Sequence, residues 1–305
     1  MSNRGTFEVA SAMTLAAALR EQLPNVSWRR VRALCASGKV AVEGSLVIEP
    51  ATRLAGGERV VWDLGRPDPR RRAILLGFRI VFEDGHLLII EKPEGISTAP
   101  FEPRETGTAL DLVREAWRRQ GKRATCTPLY VVHRIDKSTS GLVCFAKTKL
   151  AERGLHHIFQ NHLAERAYIA VAHGQVPRGR IESHLVRDRG DGLRGSSRKA
   201  GVGQYAMTMV ETVTPLVAAT LCRLRLRTGR THQIRIHLAE QGHPLVGDLV
   251  YLRDFIRRGG KPIASPRLLL HAATLGFEHP VTQQRLLFTV DPPPDFDAVV
   301  ATLRS

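Results

Sequence analysis

Cysteine is scarce: Cys35, Cys126, Cys144 and Cys222 are the only four in 305 residues, widely spaced and without a CxxC pair. That spacing indicates neither a disulfide framework nor a zinc site, and is simplest as reduced thiols in a cytoplasmic protein. No apolar run reaches the ~18 residues needed to cross a membrane. The opening MSNRGTFEVA lacks the apolar core of a signal peptide, so a cytoplasmic location is expected. Acidic side chains are also few, 29 against 45 Lys plus Arg, which leaves a formal charge of +16. Such an excess favours a polyanionic partner, because each phosphate neutralised releases counterions. An arginine-rich surface without a ligand is the alternative.

The length allows a small unit followed by a large one. Leu15, Leu19 and Leu23 recur every four residues, one face of a short helix ending at Pro24. Ser27 is placed to cap a second helix, SWRRVRALCASG, closed by Gly38. Val31, Leu34 and Cys35 form its inner face, while Arg29, Arg30 and Arg32 point elsewhere. KVAVEGSLVI, starting at Lys39, reads as two short strands around Glu43-Gly44. From about Met13 to Trp62 the pattern resembles the α-L RNA-binding module known from a ribosomal small-subunit protein. The resemblance implies that residues 1–63 bind RNA, with Arg29, Arg30, Arg32 and Lys39 on the phosphate backbone. A solvated basic helix without a ligand is the alternative. DLGRPDPRRR, rich in Pro, Gly and Arg, predicts a linker over residues 64–77.

Beyond it, RIVFE and HLLIIEK flank Asp84-Gly85, a strong hairpin signal. TALDLVREAWRRQ is an amphipathic helix carrying Leu110, Val113, Ala116 and Trp117. Short strands and helices without a repeat or regular βαβ alternation predict an α+β fold over residues 78–305. Its core is expected to be a mixed, largely antiparallel sheet. Within it HRIDKSTSGL, His133 to Leu142, sets one acid, Asp136, among Arg134, Lys137 and His133. The acid lies on a short connection between LYVV and LVCFA, which both read as buried strands. Thr139, Ser140 and Gly141 supply the turn. Taken alone, the segment reads better as a salt-bridged loop, and the rest of the chain has to decide. ERAYIAVAHG places Tyr168 near the start of a strand. LRLRTGRTHQIRIHLAEQGHPLVGD gives a strand, a turn at Thr228-Gly229 and a helix opening near Thr231, stopped by Gly242 and Pro244. LLLHAATLGFEHP reads as an apolar strand pair.

In this order, these stretches resemble the RluA-type pseudouridine synthases: EKPEGI carries that family's Lys-Pro-x-Gly motif, and RTGRTHQIRIH and GHPLVGD its later motifs. The likeness runs from about Phe78 to the C-terminus. It implies the pseudouridine synthase fold and an isomerase that detaches uracil from ribose and rejoins it through a ring carbon. That chemistry needs neither metal nor organic cofactor. The resemblance implies that Asp136 is the essential carboxylate and Arg235 its ion-paired arginine. Tyr168 stacks on the uracil or takes the ring-carbon proton, and Arg134 fills the space left by an extruded base. Arg230 and His232 are implied to face RNA. Whether Asp136 attacks the sugar, adds to the ring or removes a sugar proton stays open. A helix-surface phosphate contact is the alternative for Arg235, and a core aromatic for Tyr168.

His156, His157, His162 and His237 read as polar surface or RNA-facing groups, with no zinc-hydrolase pattern of paired histidines and a Glu. DGLRGSSRKAGVGQ is a basic loop expected to order on RNA. Two departures from the family pattern stand out: Arg166 in ERAY replaces the common lysine, and Gly203-Gln204 a frequent Gly-Lys pair. The expected substrate is large-subunit ribosomal RNA first and tRNA second, and the expected state a monomer. Two other classes compete. One is a catalytically idle RNA-binding or ribosome-assembly protein of the same fold. The other is an aspartate-nucleophile glycoside hydrolase, which needs a second carboxylate that no strand end offers.

Overall fold

The computed structural model describes residues 4–36, 39–47, 50–64, 79–101, 105–119, 128–197, 199 and 201–304. Gly38, Cys126 and all but the first residue of the expected linker fall outside that set, as do Phe78, Arg198 and Ala200.

The N-terminal unit has the two expected helices, Leu15–Gln22 and Trp28–Ala36. Thr14 caps the first by accepting from Ala17 N–H, and Ser27 caps the second by accepting from Arg30 N–H. Leu15, Leu19, Val31, Cys35, Val40 and Val60 close its apolar core. Glu43 and Gly44 both have positive φ, +48° and +79°, as a two-residue turn between antiparallel strands requires. An additional strand, Arg4–Glu8, pairs with Arg59–Asp63.

The large unit is built on an eleven-stranded sheet. The expected hairpin is present, Arg79–Glu83 against Leu87–Lys92. From there the path runs through Ser140–Ala146, Leu270–Glu278, Glu165–His173, Ala219–Leu226, Gln204–Leu216 and Gly179–Val186 to Gly195–Ser196. One pairing, Ser140–Ala146 with Leu270–Glu278, is parallel; the rest are antiparallel. Gly141 lies at that crossing with φ +115°, and a Cβ there would stand 2.3 Å from the Ala272 carbonyl oxygen. Only glycine fits.

Alternation along the central strands divides two cores. Leu88, Ile90, Val143 and Phe145 face the helix Ala109–Arg119 through Val113 and Trp117. Leu87, Ile89 and Cys144 face the helix Lys149–Gln160 through Leu155 and Ile158.

Two expectations change. LLLHAATLGFEHP is one nine-residue strand, Leu270–Glu278, not a pair. It is buried at every position from Leu270 to Phe277 because it is central and covered on both faces, and its hairpin partner is Arg285–Thr289. LYVV is a two-residue strand, Tyr130–Val131, only half-buried.

Candidate active site

A cleft of about 380 Å³ opens on the sheet. Its walls are the loop after Tyr130–Val131, the C-terminal part of the helix Lys149–Gln160, the start of Glu165–His173, and the turn leading into the helix Gln233–Glu240. Asp136, Tyr168, Arg235, Arg134, Arg230 and His232 all line it. Arg29, Arg30, Arg32 and Lys39 do not: the three arginines are exposed on the helix Trp28–Ala36, and Lys39 Nζ donates to the Leu64 carbonyl at 2.6 Å.

The loop carrying Asp136 is braced from beneath by the Lys-Pro-x-Gly segment. Fully buried Lys92 donates from Nζ to the carbonyls of Pro93, Ile96 and Lys137, at 2.9, 2.8 and 3.3 Å. Gly95 N–H also donates to the Lys137 carbonyl, and Thr98 Oγ1 donates to the Ile135 carbonyl at 3.1 Å. Burial brings the Lys92 ammonium down to about 7. The backbone is thus held on both sides of residue 136, and the carboxylate is only 22% exposed.

Arg235 is shared, and unequally. Its Nη1 stands 3.9 Å from Asp136 Oδ2, whereas Nε and Nη2 fork onto Asp248 at 2.7 and 2.9 Å. Asp248 is the primary partner, and the contact to Asp136 is the longer arm of a three-residue chain. The Asp248 side chain is 0% exposed. It also accepts from the N–H groups of Val250 and Tyr251. Burial alone would raise the Asp248 carboxyl, but the Arg235 guanidinium and the two backbone N–H groups together outweigh it and hold the carboxyl below its ordinary range. The Arg235 guanidinium lies 5.2 Å above the Tyr251 ring. Asp248, inside the quoted GHPLVGD stretch, is the acid of this chain that the sequence reading did not single out. Its signal was a charge closing an apolar PLVG run.

Tyr168 is 9% exposed among Ile135, Leu226 and Leu270. Burial raises its hydroxyl to about 12, so the phenol is neutral. Arg134 is exposed at the rim, 6.0 Å from the centre of the Phe101 ring, itself 79% exposed. Arg230 Nε donates to the Tyr205 carbonyl at 3.0 Å.

The histidines divide. His157 and His162 are exposed and His156 half-buried, but His237 is in the core, bonded to Thr208 and Ser183 rather than facing RNA. His133 is no cation beside the acid. Its Nε2 accepts Cys144 N–H at 2.9 Å, its ring stacks 4.3 Å from Phe159, and burial brings it down to about 3. His232 begins its helix with φ +58°, bonds to Tyr251 Oη at 2.9 Å, and is brought down to about 4 by burial.

These buried rings set an acid limit. His133 at about 3 and His232, His237 and His271 at about 4 have folded values depressed from 6.5. Their contribution to stability is therefore complete above 6.5 and is lost as pH falls toward 4. Glu94, raised by burial from 4.5 to about 7, opposes one of them. Unfolding then takes up about three protons, so stability should fall by ~4 kcal/mol per pH unit at the steepest. Urea midpoints measured between pH 7 and pH 4.5 check this, and a flat profile contradicts it.

Residues 86–240 match the RNA pseudouridylate synthase family. The chain is 34% identical to the ribosomal large subunit pseudouridine synthase D of Zymomonas mobilis, over 94% of this chain and 92% of that one. It is 33% identical to the protein of the same name from Neisseria meningitidis, over 95% and 78%. The chain belongs to the RNA pseudouridylate synthase family, isomerases that act on RNA. The human RNA pseudouridylate synthase domain-containing protein 4 shares the fold, with a TM-score of 0.58 at 22% identity over 76% of this chain and 95% of that one. No helix among the described residues is long and apolar enough to cross a membrane.

Proposed function

We propose that this chain isomerises specific uridines of large-subunit ribosomal RNA, with tRNA as the second candidate, and that Asp136 is the essential carboxylate. The observation that carries the reading is the composition of the cleft: among the described residues Asp136 is its sole acid, and Arg134, Arg166, Arg230 and Arg235 line it with Asp136. A glycosidase pair is disfavoured. The other carboxylate on Arg235, Asp248, is fully buried and committed to that guanidinium, so it has no free face for a water.

In this reading Arg235 is a positioning residue, anchored on Asp248 and directing Nη1 toward Asp136. Tyr168 stacks on the uracil, a contact of about 1–3 kcal/mol per base. Its raised hydroxyl favours that role over proton removal at neutral pH. The names of the relatives support ribosomal RNA as substrate. The N-terminal unit, residues 1–63, adds a second grip on RNA through Arg29, Arg30, Arg32 and Lys39, joined by a linker over 64–77 to the catalytic unit 78–305. The enzyme then works in the cytoplasm as a monomer, each unit closing its own apolar core. Incubating the purified chain with large-subunit rRNA and tRNA transcripts should yield pseudouridine in the former; none in either overturns the reading.

Arg134 has a separate expected effect. Extruding a base from folded RNA costs a few kcal/mol, and an exposed guanidinium beside an exposed phenyl ring at the rim can take the vacated place. Arg134→Ala should lower kcat/KM about 10–100-fold on folded RNA and little on an unstructured oligonucleotide. Equal losses on both substrates remove the extrusion role.

A further inference from the structure

Three arginines of the described chain are buried: Arg166, Arg235 and Arg267. Two have carboxylates, Asp248 for Arg235 and Asp295 for Arg267. Arg166 has none. It is 8% exposed, and its Nε and Nη2 have no hydrogen-bond partner among the described residues. An unpaired, desolvated guanidinium subtracts from stability, and a site that keeps one is built for something else.

Its orientation is set by three neighbours. The guanidinium lies 5.9 Å from the centre of the Phe159 ring. Its Nη1 occupies the space left free by Gly229, where a Cβ would approach within 2.3 Å. Its strand, Glu165–His173, presents Arg166 and Tyr168 to the same cleft, as alternate residues of a strand must be. The surrounding charges are positive: Arg230 lowers Arg166, and Arg166, Arg230 and Arg227 together lower His162, each after burial. The unpartnered Nε and Nη2 form one edge of the guanidinium; that edge is covered in the free protein, and an oxyanion that displaces the cover can accept two parallel hydrogen bonds there.

We propose that Arg166, with Arg230 beside it, holds a phosphodiester of the RNA strand adjacent to the uridine presented to Asp136 and Tyr168. The inference rests on the proposed function, since it assigns a substrate contact within that cleft. It gives the arginine in ERAY a reason: a planar fork fixes the phosphate in orientation, where a lysine would supply only a point charge. It also gives Gly229 a reason, because any side chain there would displace the fork.

The test is filter binding of the full chain to a large-subunit rRNA transcript over a series of KCl concentrations, for the natural protein, Arg166→Gln and Arg166→Lys. Arg166→Gln should bind on the order of tenfold more weakly, with a log K against log salt slope shallower by about 0.7–0.9, one phosphate contact. Arg166→Lys should keep the slope. Without RNA, Arg166→Gln should melt no lower than the natural protein, because it removes an unpaired buried charge. An unchanged slope with a lowered Tm identifies a packing residue beneath Phe159 and overturns the proposal. A methylphosphonate scan of the same RNA against the natural protein needs no variant. It should find a neutralised linkage beside the modified uridine that weakens binding by a similar factor, and no such linkage overturns the proposal. Pseudouridine formation by the natural protein is scored separately. Turnover with an unchanged slope refutes this contact alone, whereas a shallower slope without turnover refutes the enzymatic reading alone.

Discussion

Asp136→Asn should abolish pseudouridine formation, with kcat down by ~10⁴-fold or more, the upper end for removing a group that takes direct part in proton transfer or bond making. The same variant should fold normally and bind RNA as the natural protein does. The reason lies in how Arg235 is held: its fork is on Asp248 at 2.7 and 2.9 Å, and Asp136 receives only the 3.9 Å arm. Replacing Asp136 therefore strands no buried charge, and asparagine preserves the volume. The loss should appear in kcat with KM little changed, and the melting temperature should stay within ~2 °C. Activity within tenfold of the natural protein would assign the chemistry elsewhere in the cleft.

Asp248→Ala has the opposite profile and the largest expected effect on stability. It leaves Arg235, 7% exposed, without its forked partner, and leaves two backbone N–H groups, of Val250 and Tyr251, without an acceptor. Breaking a buried pair from one side costs about 3–5 kcal/mol, so the melting temperature should fall by ~10 °C. At a temperature where the variant stays folded, kcat should also fall, because Arg235 is no longer anchored and its guanidinium swings onto Asp136. Asp248→Asn, which keeps the shape and one acceptor, should lose less of both. A melting temperature unchanged in Asp248→Ala contradicts the reading of Arg235 as an anchored bridge.

The contrast between the two acids shows what a sequence discloses. The Asp84-Gly85 hairpin, the helix with Val113 and Trp117, and the loop holding Asp136 are local features, written in turn residues and periodicity, and each is present. The convergence of Asp136, Tyr168 and Arg235 on one cleft followed from the family motifs. Pairings across the fold were not legible. Arg235 and Asp248 are thirteen residues apart, and only the folded helix and turn decide that the fork faces Asp248. Arg166 stands out in the sequence only as an arginine in place of the common lysine, because its missing partner is a property of burial. His133 and His237 read as polar by residue type, yet tertiary packing makes both neutral, His133 half-buried in the cleft wall and His237 in the core. The largely apolar stretch Leu268–Pro280 reads as two strands but forms one, because periodicity has no way to count the faces that cover a central strand.

The most direct test of the account maps pseudouridine by carbodiimide-dependent reverse-transcription stops in ribosomal RNA and tRNA. Cells whose only copy is the natural protein are compared with cells carrying only Asp136→Ala. Stops that vanish at a few large-subunit rRNA uridines in the variant are the predicted result. Coincident maps, with the variant protein present at normal levels, would contradict it and leave an RNA-binding protein that does no chemistry at those sites.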